Sequence, residues 1–378
     1  MANLLPQKNK VKVLITGSNG FLAKNLRVHL SERIDVEVIC FTRKQSAEQL
    51  ISLLDGVDFI FHLAGVNRPE NVEEFEQGNV DLTRSLCSAI EESARPIPLI
   101  YSSSIQAELD NPYGNSKREA EDVLLQLFKN TDSPVYISRL ANVFGKWCKP
   151  NYNSAVATFC HNISQGLSVQ INDPSSLIRL VYVDDVVHRF ISIMDEAVVD
   201  QHYFTIEPQY EITVGTLVNK LNSFKESRES LIVEHVGTGL NRALYSTYLS
   251  YLKPEQFAYD LVKHEDPRGV FSEMLKTKSS GQVSYFTAHP GITRGGHYHH
   301  TKNEKFLVVK GEALFKFRHV ITDEFYELKV SGVKPRVVET VPGWTHDITN
   351  VGNDEMIVML WANEVFDKNA PDTYAKPL

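Results

Sequence analysis

The first half of the chain alternates continuous apolar runs with segments of helical periodicity. Apolar runs of the kind expected for strands buried on both faces cover residues 11–16, 36–42, 57–64 and 97–102. Helical patterns follow these runs, over residues 73–94 with an interruption at Gly78 and Asn79, and later over residues 214–227. This alternation predicts a doubly wound α/β fold of the Rossmann type, built on a parallel sheet.

From residue 281 onward the pattern changes to short alternating runs separated by Gly, Pro, Asn and Asp. A period of two is typical of strands in an all-β domain. The runs are QVSYFTA, EKFLVVKG, ALFKFRHV, EFYELKV, RVVETVP and EMIVMLWAN. We therefore expect an α/β domain over residues 1–245 and an all-β barrel over residues 246–378. The aromatic segment 241–263 is expected to be a packed hinge or interface.

Composition and charge narrow the functional class. A chain of 378 residues is long enough for two domains with separate cores. Its net charge of -8 argues against nucleic-acid binding, which needs a basic face. No apolar run approaches the ~18 residues that span a bilayer, and the polar first ten residues do not resemble a signal peptide. Because the four cysteines lack CxxC spacing and a paired pattern, we expect reduced thiols in a cytoplasmic protein. The lack of a long apolar run leads us to expect no membrane binding.

A glycine turn of sequence GSNG joins the first predicted strand to the first predicted helix. In such a turn the backbone amides and the helix N-terminus hold a pyrophosphate, which indicates a dinucleotide cofactor. The expected cofactor contacts are Gly17, Asn19, Gly20, Phe21 and Leu22. The third predicted strand ends in Leu63, Ala64 and Gly65, where the loop is expected to approach the same cofactor.

The second predicted strand ends in the sequence FTRK, with no Asp or Glu. A carboxylate at this place would bind the ribose 2′-hydroxyl of NAD, whereas a cation suits the 2′-phosphate of NADP. The sequence therefore favours NADPH, with Arg43 as its contact; the alternative is that Arg43 and Lys44 are simply exposed.

A tyrosine and a lysine follow the fourth predicted strand in the motif NPYGNSK. Tyr113 and Lys117 are four residues apart, so on a helix they share a face. A nearby ammonium favours the phenolate and is expected to lower the tyrosine pKa. Tyr113 is then suited to give a proton to a carbonyl oxygen while hydride arrives at the carbon.

Between Gly145 and Pro150 the chain reads KWCK, a loop with two cations and an indole. Cations there can meet a diphosphate, and the ring can stack on a uracil or a sugar. We expect Lys149 to bind substrate. An exposed loop with a partly buried tryptophan is the alternative.

Two histidines and a glutamate lie close together near the start of the predicted β domain. His297 and His299 are two residues apart, so on a strand both side chains point to one face. Glu304 follows, and His346 offers a fourth ligand downstream. Imidazoles and a carboxylate converging on one point suit a divalent first-row metal. Ligand softness favours zinc, although iron, manganese and nickel bind similar sets.

The motifs TGSNGFLAKNL, HLAG, GNV, SSS, YGNSK, RLANVFG and VYVDDVV resemble those of the extended short-chain dehydrogenase/reductases. The resemblance implies that Tyr113 is the catalytic acid/base and that Lys117 binds the cofactor ribose and tunes the tyrosine. It also implies a serine that orients the carbonyl, for which Ser104 is the first choice and Ser103 the second. Asn142 corresponds to a position near the sugar nucleotide.

The Gly–His–His–Glu–Gly frame and the later Gly-x-x-His-x-x-x-Asn resemble the two motifs of the cupin family. That resemblance implies a small β-barrel in which His297, His299, Glu304 and His346 bind the metal. Pro342 directly precedes Gly343, and Pro335 stands where the cupin motif has glycine, so the second motif departs from the usual pattern.

A reductase followed by a cupin resembles the bifunctional UDP-sugar enzymes of bacterial capsule and O-antigen synthesis, the CapF or WbjC type. The resemblance includes NPYGNSK, VFGKWCKPNYNS, STYLSYL and HHTKNEKFLVVKG. It implies a homodimer acting on UDP-2-acetamido-2,6-dideoxy-β-L-arabino-hex-4-ulose. The cupin half would invert C3, and the reductase half would then reduce the C4 ketone with NADPH. The product would be UDP-2-acetamido-2,6-dideoxy-L-talose, a precursor of N-acetyl-L-fucosamine.

Three other interpretations of the β domain stay open at this point. In the first, the domain is a metal-stabilised dimerisation module beside a reductase. In the second it is a sugar-binding regulatory module, and in the third it is a metal oxygenase. For an epimerase the base that moves the C3 proton is not evident, and the candidates near the histidines are His300, Tyr298, Lys302 and Lys305.

Overall fold

The computed structural model describes residues 10–196, 201–262, 264–266, 269–271, 275–277, 281–364 and 369–378. The chain divides into two compact units. The first unit comprises residues 1–154 with 179–211, and the second comprises residues 155–178 with 212–378.

The α-helices lie mainly in the first two thirds of the chain. They are α1 (Phe21–Ser31), α2 (Leu50–Leu53), α3 (Glu73–Phe75), α4 (Leu82–Glu92), α5 (Pro112–Thr131), α6 (Ala155–Ser164), α7 (Val183–Glu196), α8 (Val214–Ser230) and α9 (Gly239–Leu249). Short 3₁₀ helices lie at Ala47–Gln49, Ile105–Glu108 and Pro254–Gln256, and a short π-helix lies at Glu76–Asp81. Among the described residues, no helix has both the length and the apolarity of a membrane-crossing segment.

The strands alternate with helices in the first part of the chain and follow one another directly in the last part. They are β1 (Val11–Thr16), β2 (Val36–Phe41), β3 (Phe59–His62), β4 (Leu99–Ser104), β5 (Val135–Leu140), β6 (Asn142–Phe144), β7 (Leu177–Tyr182), β8 (Gln209–Thr213), β9 (Ile232–Val233), β10 (Ala258–Asp260), β11 (His264–Asp266), β12 (Gly269–Phe271), β13 (Lys276–Thr277), β14 (Gln282–Ala288), β15 (Thr293–Tyr298), β16 (Glu304–Lys310), β17 (Glu312–His319), β18 (Phe325–Ser331), β19 (Arg336–Glu339), β20 (Trp344–Asn350), β21 (Met356–Ala362) and β22 (Tyr374–Ala375).

Five parallel strands form the central sheet of the first unit, in the order β2-β1-β3-β4-β5. Val13, Leu14 and Ile15 of β1 have no exposed surface, as expected for a strand covered on both faces. The predicted doubly wound fold is confirmed. The strand order reverses between β1 and β3, and ligands of such sheets bind outside the carboxyl ends of the strands at that switch point.

The helical segment predicted to be interrupted at Gly78 and Asn79 is interrupted there by a turn of π-helix, Glu76–Asp81. The turn directs the Asn79 side chain inward. Its Oδ1 accepts a hydrogen bond from Val66 N at 2.8 Å, and its Nδ2 donates to Val66 O at 3.0 Å and to Ser116 Oγ at 2.9 Å. The turn therefore fixes the loop that follows β3 against helix α5. Single π-helical turns within α-helices often occur at functional sites.

Two five-stranded sheets form most of the second unit, in the orders β10-β19-β16-β21-β14 and β18-β17-β20-β15-β22. Neighbouring strands within each of these sheets run antiparallel. The six alternating runs of the sequence correspond to β14, β16, β17, β18, β19 and β21. The core of this unit contains buried aromatic side chains, among them Phe306, Phe315, Phe317, Trp344 and Trp361. The predicted all-β domain is confirmed.

The second unit also contains helices α6, α8 and α9, and α9 runs through residue 245. A buried ion-pair network joins helix α8 to the sheet. Glu339 of β19 pairs with Lys305 of β16 and, at 3.2 Å, with Arg228 of α8. Lys305 Nζ also lies 3.2 Å from Tyr259 Oη. The assignment of separate domains to residues 1–245 and 246–378 stays a prediction.

Candidate functional site

The glycine turn after β1 lies against the loop that follows β3. Gly17 has a φ of +64°, and a Cβ at this position would stand 2.6 Å from Ala64 Cα. Gly20 N donates to Gly17 O at 2.8 Å, and Gly20 is the N-cap of α1. The structure thus brings together the two segments predicted to contact the cofactor, and only glycine fits where they meet.

His62, at the end of β3, links these segments through a chain of buried hydrogen bonds. Thr83 donates to Asn79 O at 2.6 Å, so its oxygen accepts from His62 Nε2 at 2.8 Å. His62 Nδ1 then accepts from the Thr16 hydroxyl at 2.7 Å, while Thr16 accepts from Ala64 N at 3.2 Å. Burial lowers the His62 pKa to about 3, so the ring is neutral and this one tautomer satisfies every partner.

Ser104, at the end of β4, contacts Tyr113, in the first turn of α5. The Ser104 hydroxyl hydrogen-bonds the Tyr113 phenol, which lowers the Tyr113 pKa, but burial of the phenol outweighs this and raises the pKa overall. The expectation that Lys117 lowers the Tyr113 pKa is wrong for this structure. The Lys117 ammonium instead donates to Ser102 O at 2.8 Å.

Lys117 itself is buried. Burial lowers its pKa to about 7, although the charge of Glu121 opposes the shift. The ammonium lies 4.4 Å from the centroid of the Tyr101 ring. At neutral pH the side chain is therefore only partly charged, and it stands beside Gly65, whose Cβ would be 3.5 Å from Lys117 Nζ.

The serine run separates into two roles. Ser103 Oγ donates to the buried carboxylate of Glu121, which also accepts from Arg139 Nη2 at 2.6 Å and from Tyr203 Oη at 3.1 Å. Ser104 is the serine that contacts Tyr113. Sequence reasoning did not identify Glu121, although its position four residues after Lys117 places both on one helix face.

A cleft of about 820 Å³ opens in the first unit beside the 3₁₀ turn that follows Ser104. Its lining contains Arg139, Arg179 and Arg189. The Arg179 guanidinium pairs with Glu211 at 3.0 Å, and its backbone oxygen accepts from Asn142 Nδ2 at 3.0 Å. Guanidinium groups bind diphosphates through paired hydrogen bonds, but Arg139 and Arg179 also pair with Glu121 and Glu211 in this structure. The sequence had not singled out Arg189.

The two lysines of the KWCK loop have different environments. Lys146 is buried, and its Nζ lies 2.6 Å from Asp184 Oδ1, so it is a structural ion pair rather than a ligand for substrate. Lys149 is exposed, with its Nζ 5.5 Å from the centroid of the Tyr152 ring. Of the two cations, Lys149 is therefore the one accessible to a ligand.

Arg43 lies in an exposed turn directly after β2. The Gln45 side chain shapes this turn, because its Oε1 accepts from Thr42 N at 2.8 Å and from Thr42 Oγ1 at 2.9 Å. The guanidinium is thus presented at the carboxyl end of the strand where a ribose is expected. The preference for NADP stays a prediction.

The ligand atoms of His297, His299, Glu304 and His346 all lie within 4.8 Å of one another. His297 belongs to β15, Glu304 begins β16 and His346 belongs to β20. The strand β15 ends at Tyr298, so His299 stands just beyond it, but its side chain points to the same place as that of His297. The cluster nevertheless forms, because loop and strand direct the four side chains to one point.

The donor set fits a divalent first-row metal. Burial, with His346 and His299 adding to it, lowers the His297 pKa to about 4, so this imidazole is neutral. Burial alone would raise the Glu304 pKa, but contacts with the two other histidines hold it well below its ordinary value. The buried His346 Nδ1 has no hydrogen-bond partner among the described residues. Neutral imidazoles and a carboxylate are the ligating forms.

The candidate bases near the cluster are placed differently. Lys302 Nζ reaches the cluster, 3.1 Å from Glu304 Oε1. Lys305 is buried in its ion pair on the other side of the strand and is not available as a base. The rings of Tyr298 and His300 pack against each other, with centroids 5.6 Å apart.

Comparison with known families and structures agrees with the division of the chain into an α/β part and an all-β part. The model of the NAD dependent epimerase/dehydratase family matches residues 13–206, and that of the polysaccharide biosynthesis C-terminal domain matches residues 264–374. The chain belongs to the NAD dependent epimerase/dehydratase family, in its CapF type. Membership of this family implies a nicotinamide cofactor.

Two relatives cover nearly the whole chain. A UDP-2-acetamido-2,6-beta-L-arabino-hexul-4-ose reductase of Pseudomonas aeruginosa is 60% identical over 365 residues, 97% of this chain and 98% of its own. The crystal structure of the capsular polysaccharide assembling protein CapF from Staphylococcus aureus has 41% identity and a TM-score of 0.67, covering 97% of this chain and 100% of its own. The fold expected from the cupin resemblance is therefore found in a solved relative of the same length.

A more distant likeness concerns the fold alone. The UDP-glucose 4-epimerase of Thermotoga maritima has 22% identity and a TM-score of 0.52, and the match covers 57% of this chain and 82% of that one. It is consistent with the parallel sheet and glycine turn described above.

Proposed function

We propose that this chain is a bifunctional nucleotide-sugar enzyme. It epimerises C3 of UDP-2-acetamido-2,6-dideoxy-β-L-arabino-hex-4-ulose at the histidine–glutamate cluster and reduces the C4 ketone with NADPH at Tyr113. The product is UDP-2-acetamido-2,6-dideoxy-L-talose, on a route to UDP-N-acetyl-L-fucosamine for capsule or O-antigen. The proposal includes a cytoplasmic homodimer and zinc as the metal.

One observation carries the proposal: a single chain holds a Ser–Tyr–Lys group of the kind that reductases use and a three-histidine, one-glutamate cluster in which every member except His297 is buried. The identity of 60% to a UDP-keto-sugar reductase, over both parts of the chain, supports the substrate class. The chemistry explains why the two sites belong together. A carbon beside a ketone loses its proton readily only while the ketone exists, so inversion at C3 has to precede reduction at C4.

In the reduction step, NADPH held at the glycine turn would supply the hydride for C4. Tyr113 donates its phenolic proton to the C4 oxygen, and the raised pKa keeps that proton on the phenol until the oxygen becomes negative. Ser104 donates a hydrogen bond that orients the same oxygen. Lys117 holds the cofactor ribose. The cleft that contains Arg139, Arg179 and Arg189 receives the UDP moiety, and Asn142 and Lys149 contact the substrate.

In the epimerisation step, a divalent metal held by the four ligands would stabilise the negative charge that develops on the C4 oxygen. The neutral imidazoles of His297 and His346 and the ionised Glu304 are committed to binding. These groups therefore do not serve as the base. Lys302, beside Glu304, lies close enough to contact a sugar bound at the cluster.

Incubation of the pure keto-sugar in deuterated water without NADPH tests the proposal. The wild-type chain is expected to incorporate deuterium at C3, detected by mass spectrometry and proton NMR. His297→Ala is expected to lose this exchange. Tyr113→Phe is expected to keep it while losing NADPH oxidation by about 10²- to 10⁴-fold, the usual contribution of a positioned acid.

Other outcomes separate the rival functions. Absence of deuterium at C3, together with normal NADPH oxidation, contradicts the epimerase and leaves a reductase with a dimerisation or sugar-binding β domain. Metal analysis of the purified chain tests the oxygenase, because a redox-silent metal such as zinc cannot activate oxygen. Light scattering of the eluted protein tests the homodimer.

A further inference from the structure

The C-terminal segment runs along the strand that carries the first proposed metal ligand. Strand β22 pairs antiparallel with β15, and Ala375 stands opposite His297. Lys376 N donates to Gly296 O at 2.8 Å, and Thr345 Oγ1 donates to Lys376 O at 2.5 Å. These bonds fix the segment beside both β15 and β20, the two strands that carry proposed ligands.

Asp372, two residues before this strand, closes the loop between β15 and β16. Its Oδ1 accepts from His300 N at 2.9 Å. Its Oδ2 accepts from Thr301 N at 2.6 Å, from Lys302 N at 2.7 Å and from Thr301 Oγ1 at 3.0 Å. One carboxylate therefore holds three successive backbone amides, all in the loop that separates His299 from the glutamate ligand.

The backbone of Asp372 also orients a proposed ligand. His299 Nδ1 lies 2.5 Å from Asp372 O. A carbonyl oxygen only accepts, so Nδ1 carries the proton and the lone pair of the ring is on Nε2. His299 Nε2 lies 3.2 Å from Glu304 Oε2, on the side of the other ligands. A hydrogen bond from the non-ligating nitrogen to a backbone carbonyl is the usual partner of a metal-binding histidine.

We propose that Asp372 is a positioning residue for the metal site. Its carboxylate sets the shape of the loop from His299 to Glu304, and its carbonyl sets the tautomer and orientation of His299. This inference rests on the metal site of the proposed function. Asp372 acts through the ligands and does not itself touch the metal.

A purely structural role for Asp372 predicts a different result. If the carboxylate only anchored the C-terminal segment, its loss would lower the melting temperature equally with and without metal. If it positions the ligands, its loss weakens metal binding, and the rise in melting temperature caused by the metal becomes smaller.

The test uses Asp372→Asn in the full chain. The substitution keeps the size of the side chain but replaces one acceptor oxygen with a donating amide, which cannot accept from the amides of the loop. Zinc affinity is measured by competition with a chromogenic chelator, and melting is followed in zinc and in chelator. Zinc binding is expected to weaken by about 10- to 100-fold, as for other outer partners of metal ligands. The metal-induced rise in melting temperature is expected to shrink.

Two further variants make the result decisive. Asp323→Asn makes the same chemical change in the exposed segment between β17 and β18, and its zinc affinity is expected to match the wild type. Thr301→Val removes only the hydroxyl contact with Asp372, so its loss of affinity is expected to be smaller than that of Asp372→Asn. It also remains testable if Asp372→Asn does not fold.

The failure of this inference differs from the failure of the metal site. Normal zinc affinity and a normal metal-induced rise in melting temperature in both Asp372→Asn and Thr301→Val overturn the role of Asp372, provided that His297→Ala loses zinc. A wild-type chain that binds no zinc, cobalt or manganese overturns the metal site and this inference with it. Cobalt loading adds a spectroscopic check, because a displaced His299 changes the visible absorption of the bound ion.

Discussion

The ammonium group of Lys117 donates a hydrogen bond to the backbone oxygen of Ser102 at 2.8 Å, within the interior of the first unit. This bond turns the lysine towards the end of β4, and burial lowers its pKa from 10.5 to about 7. Burial thus opposes the charged form of this lysine, and the charge of Glu121 offsets only part of the effect.

The stability of the chain is expected to depend on pH through Lys117. The lysine pKa is 10.5 when unfolded and about 7 when folded, so between these values the unfolded chain binds more protons. The free energy of unfolding therefore rises from pH 7 to 10.5, by up to about 5 kcal/mol at 1.36 kcal/mol per unit. Lys117→Met is expected to lack this rise in urea unfolding between pH 7 and 10. A constant difference between wild type and variant across that range contradicts the prediction.

Ser104 and Ser103 are expected to differ in what their loss affects. Ser104→Ala removes the hydroxyl beside Tyr113, and kcat for ketone reduction is expected to fall by about 10²-fold, as for loss of one donor to a developing oxyanion. Ser103→Ala removes a donor to buried Glu121 and is expected to cost about 1–3 kcal/mol of stability with little loss of kcat. A larger kcat loss in Ser103→Ala would assign the catalytic role to that serine instead.

Gly17 is expected to be irreplaceable for steric reasons, and Gly166 provides the comparison. Both have left-handed backbones, with φ of +64° and +69°, but only Gly17 has a neighbour in the way of a Cβ. Gly166→Ala is expected to cost about 1–2 kcal/mol of strain and leave NADPH affinity unchanged. Gly17→Ala is expected to weaken NADPH binding by more than tenfold in a fluorescence titration. Equal effects of the two substitutions would show that strain alone matters.

The buried ion-pair network is expected to respond unequally to loss of its members. Glu339→Gln leaves the buried Lys305 without its carboxylate and is expected to cost about 3–5 kcal/mol. Lys305→Met leaves Glu339 paired with Arg228, so it is expected to cost less. Chemical unfolding of both single variants and the double variant measures the coupling. Equal losses in the two single variants would mean that Arg228 does not compensate.

Arg43 is expected to decide between the two nicotinamide cofactors. A guanidinium bonded to the 2′-phosphate contributes about 1.5–3 kcal/mol, so Arg43→Ala is expected to raise the dissociation constant for NADPH by about 10- to 150-fold. The constant for NADH is expected to stay unchanged, and Lys44→Ala serves as the matched control. An equal loss for both cofactors would contradict a role at the phosphate.

The elements with strong periodicity could be predicted from the sequence. The run at β1, the six alternating runs of the β domain and the interruption at Gly78 were all found where expected, because burial on one or both faces dictates those patterns. The four metal-ligand candidates also converge as predicted from their spacing.

Residues that act through distant partners could not be predicted in this way. Asp372 is 73 residues from His299, and only the folded chain shows that its carbonyl faces that ring. Lys146 lies in a loop that reads as exposed in the sequence. In the folded chain it forms a buried ion pair with Asp184, 38 residues further along the chain. A side chain's environment depends on which segment packs over it, and neither composition nor periodicity records that.

Glu304 and Lys305 are adjacent in strand β16 but belong to different buried clusters, one with the histidines and one with Glu339. Successive side chains of a strand face opposite sides. A shift of the β16 register by one residue would turn Lys305 towards the histidines and Glu304 towards Glu339. A change in the length of the preceding loop that shifts this register is therefore expected to disrupt both clusters at once.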